Sequence, residues 1–522
     1  MMARVNRRLA LATAPAEAAR RHGSVPIRLD KALDLFPQAG RSFDYATFAE
    51  LVEEAAARLA GAGITDGQRI LIVKQSNFDI PLLAFACARI GAVPVLVHSA
   101  VGFQALGVMT GRAAPAAILT DAVTESAGVL DSVDATLPRW YVGERGEHGL
   151  SLLDAPRGQF PPAAVPREDT PQLVTHSSGT TGVPKLVLHS VHSFAGHARP
   201  QITIGKVLRV RDPYLMCLSP VHARCMSGML AILALGLPLG FLTDTAPENA
   251  AELLAAVKPG VVETVPNAFI RWEEVAERQP ELFAQTRLFV SSFDAAHPRT
   301  IRTLLAAAKP GARYMQAYGQ TETGPVTVKS HKLKSRCEHG RCVGRGVLGH
   351  TKIRVLDDEG DKAPRGVPGQ IFARSSGVTP SYLGSPDQRV DGWWAMGDYG
   401  LVSARGCLHL FDRIVDRGSG VESLLAAEDD ILEALPQLTE AVIIPMSDGG
   451  PAIPLVVTRG DTPLDLAAWR AAVAGLPELA APVQCRWDDI PHTATWKVKR
   501  LEVARRLAAG DLPVLATAGE ER

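Results

Sequence analysis

The sequence predicts an α/β fold: a large N-terminal domain of mixed α/β sheets with a small β-rich subdomain, then a small mobile α+β C-terminal domain. Three observations predict it. Apolar runs of strand length alternate with stretches of helical periodicity through the first half of the chain. Turn signals crowd together after Cys337. A flexible break at Gly418-Ser419-Gly420 precedes a last stretch long enough for a further small domain.

The elements follow in order. From Tyr45 to Ala62, Phe48, Leu51, Val52, Ala55, Leu59 and Ala60 share one helical face, and Gly61, Gly63 and Asp66-Gly67 end it. Arg69 to Val73 reads as a buried strand, Ile80 to Ile90 as a helix and Ala92 to Val97 as the next strand. That alternation implies a mostly parallel sheet. It returns at Ala250–Val257 with Gly260–Val265, and at Arg287–Ser291 with Pro298–Ala308. Turns at Asp357-Asp358, Pro364-Arg365-Gly366, Pro368-Gly369 and Asp391-Gly392 mark the β-rich segment. Beyond the break, Ala427–Leu435 and Leu464–Ala474 read as helices, and Ala441–Pro445 and Pro454–Thr458 as strands. The expected division is 1–415, a linker at 416–420, and 421–522.

A chain of 522 residues, 46% of them hydrophobic, exceeds one ordinary core. Its 55 basic and 55 acidic residues cancel, with no basic stripe, which argues against a nucleic-acid partner. No apolar run is long enough to span a bilayer. Arg4, Arg7 and Arg8 precede Leu9-Ala10-Leu11-Ala12, but Glu17, Arg20 and Arg21 follow at once. A frayed terminus of a cytoplasmic protein is expected there rather than a signal peptide. Seven scattered cysteines fit a reducing compartment. Cys337, His339 and Cys342, with His331 nearby, read either as a polar loop with reduced thiols or as a partial zinc set, with no second cysteine pair to complete it.

The most informative segment is Thr175-His176-Ser177-Ser178-Gly179-Thr180-Thr181-Gly182-Val183-Pro184-Lys185. Gly179 and Gly182 let backbone N–H groups approach an anion closely. Ser177, Ser178, Thr180 and Thr181 supply neutral donors, and Lys185 a compact positive charge. This is a polyphosphate cradle, though not the ordinary P-loop, which places lysine directly after glycine and a hydroxyl residue next.

This string resembles the signature loop of the adenylate-forming superfamily, which includes the AMP-forming acyl- and aryl-CoA synthetases. The resemblance runs along almost the whole chain. Asp66–Pro94 is similar to the family's N-terminal region, and Tyr318-Gly319-Gln320-Thr321-Glu322 to its Tyr-Gly-x-Thr-Glu motif. Trp393-Trp394-Ala395-Met396-Gly397-Asp398 resembles Trp-x-x-Thr-Gly-Asp, with Met396 in place of threonine. Asp412-Arg413-Ile414-Val415-Asp416 resembles the arginine–hinge motif, and Pro491 to Lys497 the terminal lysine motif.

The resemblance implies attack of a carboxylate on the α-phosphate of ATP, release of pyrophosphate, and transfer of the acyl group to coenzyme A. It implies Mg2+ at Glu322, Thr321 donating to the α-phosphate, and Tyr318, with Gly319 and Gln320, along the adenine. Asp398 and Arg413 would hold the ribose. Lys497 would bridge the two reacting anions as the catalytic cation, and Asp416 would be the hinge. Two departures stand out. Arg417 to Ser423 differs from the family's stretch near the thiol channel, which keeps a carrier-protein phosphopantetheine, an amine or nitrite open as acceptors. Ser291-Ser292-Phe293-Asp294 replaces a Gly-Gly-Ala-Pro turn, so that Phe293 and Asp294 stand where relatives have small residues. Asp294 either meets a polar substrate group or caps the helix starting near Pro298. His222 matches a position lining the acyl pocket, or is a buried structural histidine. The small-molecule carboxylic acid is unspecified, a homodimer is left open, and a luciferase-like oxidase and a non-catalytic nucleotide binder are the readings from other classes.

Overall fold

In the computed structural model the described residues are 7–177, 183–294, 296–333, 341–347, 349–386, 388–414, 424–446, 450–493 and 498–517. They build three sheets. The largest begins as a parallel array, with Leu239–Phe241, Tyr214–Cys217, Val261–Thr264, Leu288–Ser291 and Arg313–Gln320 side by side. Gly324–His331 then turns back antiparallel to Arg313–Gln320. The β-rich segment is joined to this edge, through the pairing of Thr327 with Gly346 and Val328 with Arg345. Its strands Leu408–Arg413, Trp394–Val402, Gly369–Ser375 and Thr351–Leu356 extend the same sheet antiparallel.

The second sheet is centred on Arg69–Ile72, flanked in parallel by Val93–Leu96 and Ala117–Thr120. Pro171–His176 follows beside Val93–Leu96, and Leu186–Ser190 pairs back on it. The helices Asp79–Arg89 and Ala223–Leu235 are apolar nearly all round because both sheets cover them. Tyr45–Gly61 is a surface helix with one buried stripe, started by the Asp44 side chain accepting from the Thr47 N–H. The predicted elements thus match those observed, with ends moved by a residue or a few.

The start of the chain departs from expectation. From Arg7 on it is not frayed: Leu9, Ala10 and Leu11 are buried in the main core, and the Leu11 N–H donates to Gln172 Oε1 at 3.1 Å. The short apolar run is a core plug; Arg7, Arg20 and Arg21 beside it are exposed, while Glu17 is buried and pairs with all three.

The third sheet carries Leu438–Ile444, Ile453–Thr458, Val483–Gln484 and Ala516–Thr517, with helices Leu424–Ala434, Leu466–Val473 and Arg500–Ala509 around it. Ion pairs bind it to the large sheet's helices: His297 Nδ1 to Asp429 Oδ1 at 2.8 Å, Arg302 to Glu433 at 2.7 Å, and Arg459 to Glu273 at 2.7 Å. Among the described residues no helix is long and apolar enough to cross a membrane.

Candidate adenylation site

The two ends of the candidate cradle, Ser177 and Lys185, follow and precede a pair of antiparallel strands. Thr175 lies opposite Val187 and His176 opposite Leu186, so the strands bring Ser177 and Lys185 together. The Ser177 N–H donates to the Lys185 carbonyl at 2.9 Å, and the Lys185 N–H to Ser177 Oγ at 3.0 Å. Ser178, Gly179, Thr180, Thr181 and Gly182 lie outside the described residues.

From that neck a short chain of contacts runs inward. Lys185 Nζ sits over the Tyr382 ring, 4.7 Å from its centroid. Tyr382, on a two-residue strand paired with Leu186–Ser190, donates its hydroxyl to Glu322 Oε1 at 2.9 Å. Glu322 is buried in the turn between Arg313–Gln320 and Gly324–His331. Burial pushes its carboxyl above the usual range, against the opposing pull of Tyr382, Lys185 and Arg413.

A second convergence lies one strand away. Tyr318 Oη donates to Asp398 Oδ2 at 2.6 Å, and Gln320 Nε2 reaches the same oxygen at 3.4 Å. Arg413, opposite Asp398 in the ladder, approaches Oδ1 at 3.7 Å. A register shift at Tyr318/Gly319 sets the aim of these side chains. Only glycine fits at 319: a Cβ there would stand 2.0 Å from the Gly324 carbonyl oxygen.

These side chains, Asp398 excepted, line one cavity of about 370 Å³. It is lined by Ser177, Lys185, Tyr318, Gly319, Gln320, Thr321, Glu322 and Arg413, and also by His222 and Phe293. His222 caps the helix Ala223–Leu235, its Nδ1 accepting from the Arg224 N–H at 3.2 Å. Its ring meets Phe293 edge-on at 4.4 Å. The two readings of His222 are therefore compatible: it caps a helix and faces the cavity. Phe293 holds a φ of +84°, the left-handed backbone that glycine adopts freely.

Asp294 is exposed and is not among the cavity's lining residues. Nor does it cap the following helix. The cap position of Pro298–Ala307 is His297, with no side-chain cap bond. Lys497 and Asp416 lie outside the described residues, as do Cys337 and His339. Among the described residues no cluster of three or more histidine, cysteine or acidic side chains is placed to hold a metal ion.

Three participants were missed in the sequence. Tyr382 carries no local signal, since its role comes from strand pairing. Arg224 and Glu263 did carry one: each is the single charge in an otherwise uncharged and mostly buried element, Ala223–Leu235 and Val261–Thr264. They meet in a two-point pair, Nε to Oε1 at 2.7 Å and Nη2 to Oε2 at 2.9 Å.

Comparison with known proteins supplies the family. Residues 16–383 match the family described as AMP-binding enzyme. The chain is 37% identical to a 3-amino-2-hydroxy-4-methoxybenzoate diazotase of Streptomyces cremeus, over 94% of each chain. It is 24% identical to 4-coumarate–CoA ligase 2 of Oryza sativa subsp. japonica, over 90% of this chain and 88% of that one. In fold it resembles the anthranilate CoA ligase AuaEII in complex with anthranoyl-AMP, with a TM-score of 0.82 at 18% identity, covering 98% of this chain and 99% of that one.

Proposed function

The chain belongs to the AMP-binding enzyme family and is an adenylate-forming enzyme, and from that premise we propose that it activates nitrite with ATP and hands the nitrosyl group to an aromatic amine, making a diazo compound. The observation that carries this reading is the 37% identity to a diazotase across 94% of each chain, against 24% to a CoA ligase.

The chemistry fits an adenylating site. Nitrite, like a carboxylate, is a bent anion with two equivalent oxygens. One oxygen attacks the α-phosphate of ATP, the bond to pyrophosphate breaks, and a nitrosyl adenylate forms. The amine nitrogen attacks the nitrosyl nitrogen, AMP leaves, and the amine loses a proton. The resulting N-nitroso compound shifts a second proton to oxygen and, once protonated there, loses water to give the diazonium group. No outside oxidant or reductant is needed.

In this reading the neck at Ser177 and Lys185 holds the phosphates, Thr321 donates to the α-phosphate, and Tyr318 lies along the adenine. Asp398 and Arg413 take the ribose hydroxyls, a task suited to a carboxylate with two acceptor oxygens. Both reactants of the first step are anions, so Lys497 is assigned the positive charge between them. The hinge at 416–420 would move the part carrying Lys497 between the two steps.

Glu322 fits a Mg2+ ligand: its carboxyl lines the cavity, and a bound cation would offset the burial that otherwise disfavours its charged form. When bound, the ion supplies neutralisation of phosphate charge.

Acid-dependent ATP–pyrophosphate exchange tests the reading. Exchange with nitrite, lost in Lys497→Ala, supports it. Exchange with a carboxylic acid instead favours the second reading, an acid–thiol ligase passing an acyl-adenylate to coenzyme A or a carrier-protein phosphopantetheine. The likeness to 4-coumarate–CoA ligase 2 supports that alternative.

A further inference from the structure

The cavity's lining holds a charge that an acyl pocket does not need. Arg224 lines the 370 Å³ cavity and also a smaller apolar cavity of about 60 Å³ behind it, walled by residues such as Leu235, Val261, Leu288 and Met315. Its side chain is 12% exposed. An alkyl or extended aryl tail would be served best if the two cavities merged, yet a guanidinium stands between them.

That guanidinium is held firmly. Glu263, with no exposure at all, takes its Nε and Nη2 protons, and Gln201 Oε1 accepts from Nη1 at 2.6 Å. Tyr214 donates its hydroxyl to Glu263 from the other side. Burial works against the charge on Arg224, but Glu263 outweighs it and keeps the group cationic. A guanidinium has five N–H donors, and three are used by Glu263 and Gln201. The Tyr214 hydroxyl also bonds the group, and the guanidinium's remaining terminal N–H donors are a charged site suited to a carboxylate. A second polar group is in the same lining: Ser292 Oγ is buried with no hydrogen-bond partner among the described residues. His222 and Phe293, edge to face in the same lining, form an aromatic wall.

We infer that Arg224 anchors a carboxylate borne by the aromatic amine, which turns the ring so that its amino group, not its carboxylate, faces the adenylating centre. The inference rests on the diazotase reading and supplies what that reading lacks. An aminobenzoate offers two nucleophiles, and a site that bound it the other way round would adenylate its carboxylate. Holding the carboxylate at the opposite end leaves the phosphate-facing end to nitrite. Arg224 is then a specificity residue for ring orientation, and Glu263, Tyr214 and Gln201 are positioning residues that hold its guanidinium.

The test compares 3-aminobenzoate with 3-aminobenzamide, in wild type and in the double variant Arg224→Gln/Glu263→Gln. The double change avoids leaving Glu263 buried and unpaired, and melting curves check that it folds. Two readouts are taken: equilibrium binding by calorimetry, and kcat/KM for nitrite-dependent turnover. The expected result is a wild-type preference for the carboxylate of about 10- to 100-fold, carried in Kd and KM, falling to near one in the folded double variant. Arg224→Lys should restore part of the preference. No preference in wild type, or a preference that survives the double change, overturns the anchor. Absence of nitrite-dependent exchange in wild type overturns the reaction itself, and the binding comparison is read independently of that outcome.

Discussion

Tyr318 Oη donates to Asp398 Oδ2 at 2.6 Å, across 80 residues of sequence. Both side chains are buried, and Tyr318's hydroxyl is held well above its ordinary pKa by burial and by the Asp398 charge. The tyrosine therefore stays a donor at any working pH and fixes one oxygen of a carboxylate assigned to the ribose. Tyr318→Phe removes a hydrogen bond to a charged acceptor, worth about 1.5–3 kcal/mol. The expected outcome is a rise of about tenfold or more in KM for ATP with a smaller change in kcat, measured by steady-state kinetics.

Lys497→Ala should slow adenylation by about 10²–10³. ATP binding, measured by calorimetry, should change far less, because the lysine is assigned to charge that develops during reaction. Equal losses in binding and rate would count against that assignment.

The junction between the third sheet and the large one should respond to pH. Glu440 is buried beside His297, Glu428 and Asp294, and burial raises its pKa to about 7. Its unfolded value is near 4.5. Folded protein thus holds a proton that unfolded protein releases between those values. Stability falls as pH rises through that window. His297, raised by Asp429 and Glu440 against the effect of burial, acts in the same direction above its ordinary value of 6.5. Melting temperature against pH should decline from about pH 5 to 7, and Glu440→Gln should flatten the lower part of the curve.

Phe293→Gly tests the strained wall. A left-handed φ of +84° costs a non-glycine residue on the order of 1–3 kcal/mol. Glycine relieves that cost and removes the ring packed on His222. The expected outcome is a melting temperature close to wild type and measurable turnover of two-ring amines that wild type rejects.

Gly319→Ala should be severe. Its Cβ would collide with backbone, the Gly324 carbonyl, rather than with a side chain that can swing away. A fall of several degrees in melting temperature, with loss of ATP binding, is expected as the Tyr318–Asp398 alignment breaks.

Much of this was legible along the chain. The helix Tyr45–Gly61, the strand Arg69–Ile72 and the helix Pro298–Ala307 are local events, written in periodicity, capping and turn residues. The glycine–hydroxyl–lysine string leads to the expectation of a phosphate cradle because its chemistry lies within eleven neighbouring residues, of which Ser178 to Gly182 lie outside the described residues. What no local pattern holds is sheet order. Arg313–Gln320, Trp394–Val402 and Leu408–Arg413 bring Tyr318, Asp398 and Arg413 to one point only because of how the strands pair. Tyr382 reaches Glu322 by the same route. A run of apolar residues reports that a segment is buried, not what it is buried against. Burial against a distant partner turned Arg224 from an isolated charge in a mostly buried helix into a held cation in the lining of a cavity.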